Sequence, residues 1–180
     1  PNANALVELA FRSGTGAFVL GAENLTVQNG KAVPSPQAGM TLDYLPAECI
    51  LPITVRHGKI IDVAFASEVI VNGKSSIYLQ THRLQKDGYH IQNEYFTSQS
   101  ESSEEAGYQP APLPDGVAAS FITGSAAPWF ALFSPNIVKT FPEGPGLGMS
   151  IFAEALDQAK QCDLAFGNYC RGIFLGGEKV

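Results

Sequence analysis

Hydrophobic and polar residues alternate with period two through the middle of the chain, then at spacings of three and four near its end. The first pattern predicts strands and the second a helix. Residues 41–45 and 50–56 are two short strands, and His57-Gly58-Lys59 turns the chain. Residues 60–71 form a long strand with Ile61, Val63 and Phe65 on one face. Asn72-Gly73 predicts the next hairpin turn, 76–84 the next strand and Lys86-Asp87-Gly88 a third turn. Residues 89–97 close the series, with Tyr89, Ile91, Asn93 and Tyr95 alternating. Tight turns leave little slack in register, so this region is an antiparallel β-meander.

Before the meander, residues 2–13 predict a short helix. Asn2 or Asn4 caps it, Leu6, Leu9 and Ala10 form its stripe, and Gly14 ends it. Gly16-Ala17-Phe18-Val19-Leu20 reads as a strand, Leu25-Thr26-Val27 follows, Asn29-Gly30 signals a hairpin, and 33–39 is a loop. After the meander, 98–116 is acidic and then proline-rich, the composition of a mobile loop. Trp129-Phe130-Ala131-Leu132-Phe133 is an apolar strand, 136–141 a short extended piece and 144–148 a tight connector. A long helix is predicted over about 150–171. Phe152, Leu156, Ala159, Phe166, Cys170 and Ile173 recur along it, with Asp163 in the same row. A helix of ~22 residues is roughly 33 Å long, more than a small sheet covers. Part of it therefore packs on the rest of the chain or on a neighbouring subunit, across an interface wet enough to hold an acid. The expected class is α+β: an antiparallel sheet with a short N-terminal helix and a long C-terminal one. The expected division is a β-rich domain over 1–142, with 98–116 as its mobile loop, and a connector and stem-like helix over 143–180.

Composition narrows the function. The 180 residues are 45% hydrophobic, enough for one core, and carry 18 glycines and 12 prolines, which suits many short elements. The net charge is −6 with no cluster of Lys or Arg, which excludes tight electrostatic binding of nucleic acid. Three cysteines without a spacing pattern are no disulfide framework, and no apolar run is long enough to span a membrane. The candidates for chemistry all have plainer readings. The segment from Gly144 to Ser150 precedes a helix like a phosphate cradle, but it has no lysine, and Pro145 removes an amide. His57, His82 and His90 lie in or beside separate turns and read as surface or hairpin histidines, not metal ligands. Asp62 and Glu68 share a strand face roughly 20 Å apart, beyond the ~5–10 Å of paired glycosidase acids. Asp157 and Asp163 read as solvated or intersubunit. With no nucleophile elbow and no Cys-x-x-Cys pair, neither catalytic residues, nor a cofactor, nor a metal is expected.

Several stretches, in order, carry a likeness to a known family. They are Gly14-Thr15-Gly16-Ala17-Phe18, the run Tyr44-Leu45-Pro46-Ala47-Glu48-Cys49-Ile50-Leu51-Pro52-Ile53, and Gly58-Lys59-Ile60-Ile61-Asp62-Val63-Ala64-Phe65. Tyr78-Leu79-Gln80-Thr81-His82 and Tyr89-His90-Ile91-Gln92-Asn93-Glu94-Tyr95-Phe96 follow. The most specific is Pro145-Gly146-Leu147-Gly148-Met149-Ser150-Ile151-Phe152-Ala153-Glu154-Ala155-Leu156-Asp157, with Lys160 and Asp163 beyond it. In these the chain resembles the portal proteins of tailed bacteriophages, of the siphophage type from Gram-positive hosts, also labelled minor capsid proteins. The likeness covers most of the chain; the 98–116 excursion departs from it. The resemblance implies an internal piece of a longer protein, the β-rich wing and the start of the stem. It implies a structural role in a ring of twelve sister subunits at a capsid vertex, which docks terminase and head or connector proteins and passes DNA transiently and without sequence preference. The expected place is the virion, assembled in the bacterial cytoplasm from a phage or prophage gene. Phe152, Leu156, Asp157, Lys160, Asp163 and Phe166 are the expected subunit-interface or channel residues. The rival expectation is a β-rich tail, baseplate or adhesion-type module that binds a glycan or a protein.

Overall fold

A computed structural model describes residues 3–33, 35–71, 74–98, 107–135, 140–141 and 144–176. The chain begins with α1 (Ala3–Ser13), β1 (Gly16–Glu23), β2 (Thr26–Gln28), β3 (Lys31–Val33) and β4 (Gly39–Pro46). The meander follows as β5 (Ile50–Arg56), β6 (Lys59–Val71), β7 (Lys74–Gln85) and β8 (Gly88–Ser98). Then come β9 (Tyr108–Ala111), β10 (Ser120–Ile122), β11 (Phe130–Phe133), β12 (Thr140–Phe141), β13 (Gly144–Gly148) and α2 (Leu156–Gly176). The α+β class is as expected, with the short helix first and the long helix last. None of the described helices is long and apolar enough to cross a membrane.

Local turn chemistry accounts for the meander. His57 and Gly58 have φ of 51° and 74°, and Asn29 and Gly30 have 51° and 76°. Positive φ at both central residues matches the right-handed twist of hairpin strands. The predicted Asn72-Gly73 turn lies outside the described residues, but Val71 pairs with Lys74 across it. The resulting large sheet runs in the order β2-β3-β10-β8-β7-β6-β5, with β9 also on β8. Its outer strand β5 carries Pro52 and two register shifts against β6. A proline is tolerated there because an edge strand need not donate on its open side.

A smaller sheet, β11-β1-β4, lies face to face with the large one. Ala17 and Val19 of β1 and Phe130 of β11 meet Ile50, Val63, Phe65 and Tyr89 of the large sheet, with Leu147 of β13 joining them. Each fully buried side chain of this kind contributes about 1.5–3 kcal/mol. The Tyr89 hydroxyl stays satisfied by donating to the Ile61 carbonyl at 3.0 Å. The α1 stripe is as predicted: Ala10 is buried, Leu6 and Leu9 are half-buried, and the helix packs on β1 and β4. Asn2 lies outside the described residues, and Asn4 is within the helix.

The joint between α1 and β1 gathers distant parts of the chain. Thr15 is fully buried; its hydroxyl accepts from the Gly148 amide at 2.8 Å and shares a hydrogen bond with Ser134 Oγ at 2.8 Å. Ser13 Oγ donates to the Leu9 carbonyl at 2.7 Å and accepts from the Ala47 amide at 3.1 Å. Gly14, at φ 90°, closes the helix, and a Cβ there would sit 2.2 Å from the Gly148 carbonyl oxygen.

Three expectations need correction. The 98–116 segment is not loop throughout. Ser98 is buried at the end of β8, and β9 pairs with β8 from Tyr95↔Ala111 to Ser98↔Tyr108. Its composition offers little apolar surface, but strand pairing draws on backbone groups that composition does not reveal. Residues 99–106 lie outside the described set. Gly144–Gly148 is a strand, not merely a connector, and Leu147 puts it in the core, so the β-rich body extends past 142. Of the extended piece, 136–139 is outside the described residues and 140–141 pairs with β13.

The third correction is His82, which is not at the surface. It stands mid-strand in β7, fully buried, with its ring edge-on to Phe65 and Phe130 at 5.4 Å each. Neither ring nitrogen has a hydrogen-bond partner among the described residues. Burial lowers its pKa to about 4. An unfolded histidine takes up a proton near 6.5 while the folded one does not, so stability is lost as pH falls from about 6.5 towards 4. The loss reaches about 3 kcal/mol. Urea unfolding across that range should show the decline, and His82→Leu should flatten it above pH 5, where few carboxylates titrate. A second prediction concerns the joint. Gly14→Ala should cost about 2 kcal/mol or more in the same assay. Gly39→Ala, whose Cβ would meet open space, should cost less than about 0.5 kcal/mol.

Candidate functional site

The Gly-rich run before the last helix is locked into the body. Gly146 takes φ 86°, a Cβ on it would fall 2.9 Å from Ile60, and the Gly148 amide is committed to Thr15. This run is therefore a structural strand, and that amide is not free to cradle a phosphate. Ser150 then anchors the exit. Its hydroxyl donates to the Phe11 carbonyl at 3.1 Å and accepts from the Phe152 amide at 3.1 Å. A 3-10 turn, Ala153–Ala155, follows. The α-helix begins only at Leu156, six residues later than predicted, and runs to Gly176, past the predicted end at Arg171. Its 21 residues span roughly 31 Å.

From Leu156 to Phe174 every α2 side chain is exposed except that of Cys170, which is half-buried. Phe166 is 69% exposed and Phe174 80%. Most of the large exposed apolar residues share one side, the exception being Leu164, which is 68% exposed and lies about 80° from Leu156 outside that side. At about 100° per residue, Leu156, Ala159, Cys162, Phe166, Tyr169, Cys170, Ile173 and Phe174 fall within a sector about 140° wide. Asp163 lies inside that sector; Lys160 lies about 40° beyond its Leu156 edge, on the flank, and Asp157 lies about 170° from its centre, on the opposite side. A contiguous exposed apolar face of this kind marks a contact surface.

The six residues singled out from sequence thus divide. Leu156, Phe166 and Asp163 share the apolar face, Lys160 edges it, and Asp157 lies opposite it. Phe152 is not on the helix; it is 57% exposed in the turn before the 3-10 segment, because Ser150 ties the chain back to α1. Tyr169 and Phe174 were missed, although they follow Phe166 and Cys170 at spacings of three and four. Gly167 and Gly172 lie within the helix with open space around them.

The other candidates stay apart. Asp62 Oδ1 accepts from the Leu84 amide at 2.8 Å, and Glu68 Oε1 from Ser75 Oγ at 2.6 Å, so each braces the neighbouring strand. His57 sits in its exposed turn, and His90 Nε2 lies 2.7 Å from Asp87 Oδ1. The His90 hydrogen bond holds the Asp87 carboxyl below its usual range. Cys49, Cys162 and Cys170 are unpaired, and burial, then Glu48, pushes the Cys49 thiol up. Compared with known protein families, curated proteins and solved structures, the chain matches none.

A helix whose described side chains are exposed apart from Cys170 can be altered without loosening the body. Phe166→Asp with Ile173→Asp should leave the urea-unfolding free energy of the β-rich body within about 0.5 kcal/mol of the parent. A larger loss would show that α2 packs against the body.

Proposed function

We propose that this chain belongs to a structural subunit of a tailed-phage portal, in which α2 begins the stem and packs against sister copies. The single observation that carries the reading is the uncovered apolar face of α2, launched from a body that ties down its root. The ordered series of family-like motifs supports it, since the most specific of them is the stretch that leads into this helix. Asp163 within the apolar face, with Lys160 and Arg171 toward its flank, suits a head-to-tail contact in which one edge of a helix meets a different edge of its neighbour. Contacts of that type close into rings. A ring of twelve is the expected form. Its partners would be terminase and head or connector proteins, and its place the virion after assembly in the host cytoplasm. The net charge of −6 suits a channel that passes DNA without holding it, because affinity for nucleic acid comes from neutralised phosphates.

Negative-stain microscopy of the full-length protein tests the reading. Rings with a central hole are expected, and Phe166→Asp should reduce the ring fraction at least tenfold while far-UV circular dichroism stays unchanged. Full-length protein that stays monomeric at high concentration and captures a glycan or a tail protein would overturn it in favour of a binding module.

A further inference from the structure

We propose that the cleft between the two sheets, beyond the end of the core, binds the ammonium group of an aliphatic di- or polyamine. The cleft holds about 290 Å³ and opens where β1 and β4 stand over β6, β7 and β8. Glu23, Asp43 and Asp115 line it together with Tyr78, Gln80 and Tyr95, and no lysine or arginine is among its lining residues. None of the three carboxylates has an ion-pair partner among the described residues. Three uncompensated negative charges around one opening create a local field that attracts a cation.

A group of acids alone would be a solvated rim. The second observation is Gln80. It is only 5% exposed, yet its side-chain amide has no hydrogen-bond partner among the described residues. It pairs with Phe65 of β6, a core residue, so it points towards the smaller sheet, and it lines the cleft. An amide placed at the wall of a cleft, with no partner among the described residues, has its hydrogen-bonding capacity open to an occupant. An occupant that donates an N–H to the Gln80 carbonyl oxygen would use that capacity. Tyr78 and Tyr95 add aromatic rings that can face an ammonium group, and Val69 and Ala22 offer apolar surface to a methylene chain. The surroundings agree with this. Partial burial and then Glu23 push the Asp43 carboxyl up, and burial followed by Asp43 and Glu23 pushes Tyr78 up to about 12. Among the described residues no three His, Cys, Asp or Glu side chains converge as a metal set. Spread-out carboxylates with aromatic and apolar walls fit an extended organic cation better than a compact ion.

The same alkylammonium group is offered by a free amine or by a lysine of another copy, and the test separates them. Isothermal titration with 1,4-diaminobutane and with spermidine at physiological salt should give saturable binding at one site. Asp43→Asn, Asp115→Asn and Gln80→Leu should each weaken it at least tenfold. Glu48→Gln, which removes a carboxylate paired with Arg12 elsewhere, should leave it unchanged. Asp115→Asn lies in an exposed loop, so the test survives if Gln80→Leu does not fold. If the natural donor is a neighbour's lysine, sedimentation should show chains that associate, that diaminobutane disperses, and that Asp43→Asn disperses equally. No binding, equal weakening by Glu48→Gln, or equally tight competition by magnesium would each overturn the proposal. None of these outcomes bears on the role of α2.

Discussion

One buried hydroxyl group governs how the pieces of this fold meet. Thr15 stands where α1 hands over to β1, and its Oγ1 bonds both the end of β11, through Ser134, and the end of β13, through the Gly148 amide. Sequence separations of 119 and 133 residues are closed at this point. The backbone comes so close that residue 14 must be glycine. The start of the smaller sheet, the end of β11 and the root of the C-terminal helix are therefore one mechanical unit. That arrangement explains why α2 departs from a rigid base although it lies on nothing itself.

The interior is organised along one row of the large sheet. On the inner face of β7, Tyr78, Gln80 and His82 succeed one another at period two. At one end His82 is enclosed by Phe65 and Phe130, without partners and held neutral by burial. At the other end the two sheets part, and polar groups face a cleft rimmed by acids. The transition from sealed to open follows the reach of the smaller sheet. Phe130 covers the row at His82, and the segment around Asp115 stands over its other end.

What could be read from the sequence was local. Asn29-Gly30 and His57-Gly58 declare their hairpins because the backbone angles of a turn are set by the residues in it. The apolar face of α2 was legible for the same reason: it is a periodicity within one segment. Features that depend on distant pairing were not. Tyr108–Ala111 and Gly144–Gly148 look like loops by composition and become strands because β8 and β12 present backbone groups to them. The helix start was misplaced because Ser150 is drawn to the Phe11 carbonyl, a contact invisible along the chain. His82 was misjudged because alternation shows that a strand has two faces but not which one a second sheet covers. Glu23, Asp43 and Asp115 come from three separate segments, so no spacing rule unites them.

The glycines inside α2 bear on how company for this helix would be acquired. Gly167 and Gly172 each weaken a helix interior by roughly 0.8–1 kcal/mol relative to alanine, and helices of this length hold little reserve of their own in water. With α2 side chains exposed from Leu156 to Phe174 apart from Cys170, the rod's order and the docking proposed for it would be thermodynamically linked. The first contact must bear the cost of straightening the segment, whereas later arrivals find a template already in place. In the proposed assembly this would make nucleation slow and completion quick, a kinetic signature that two small residues would set.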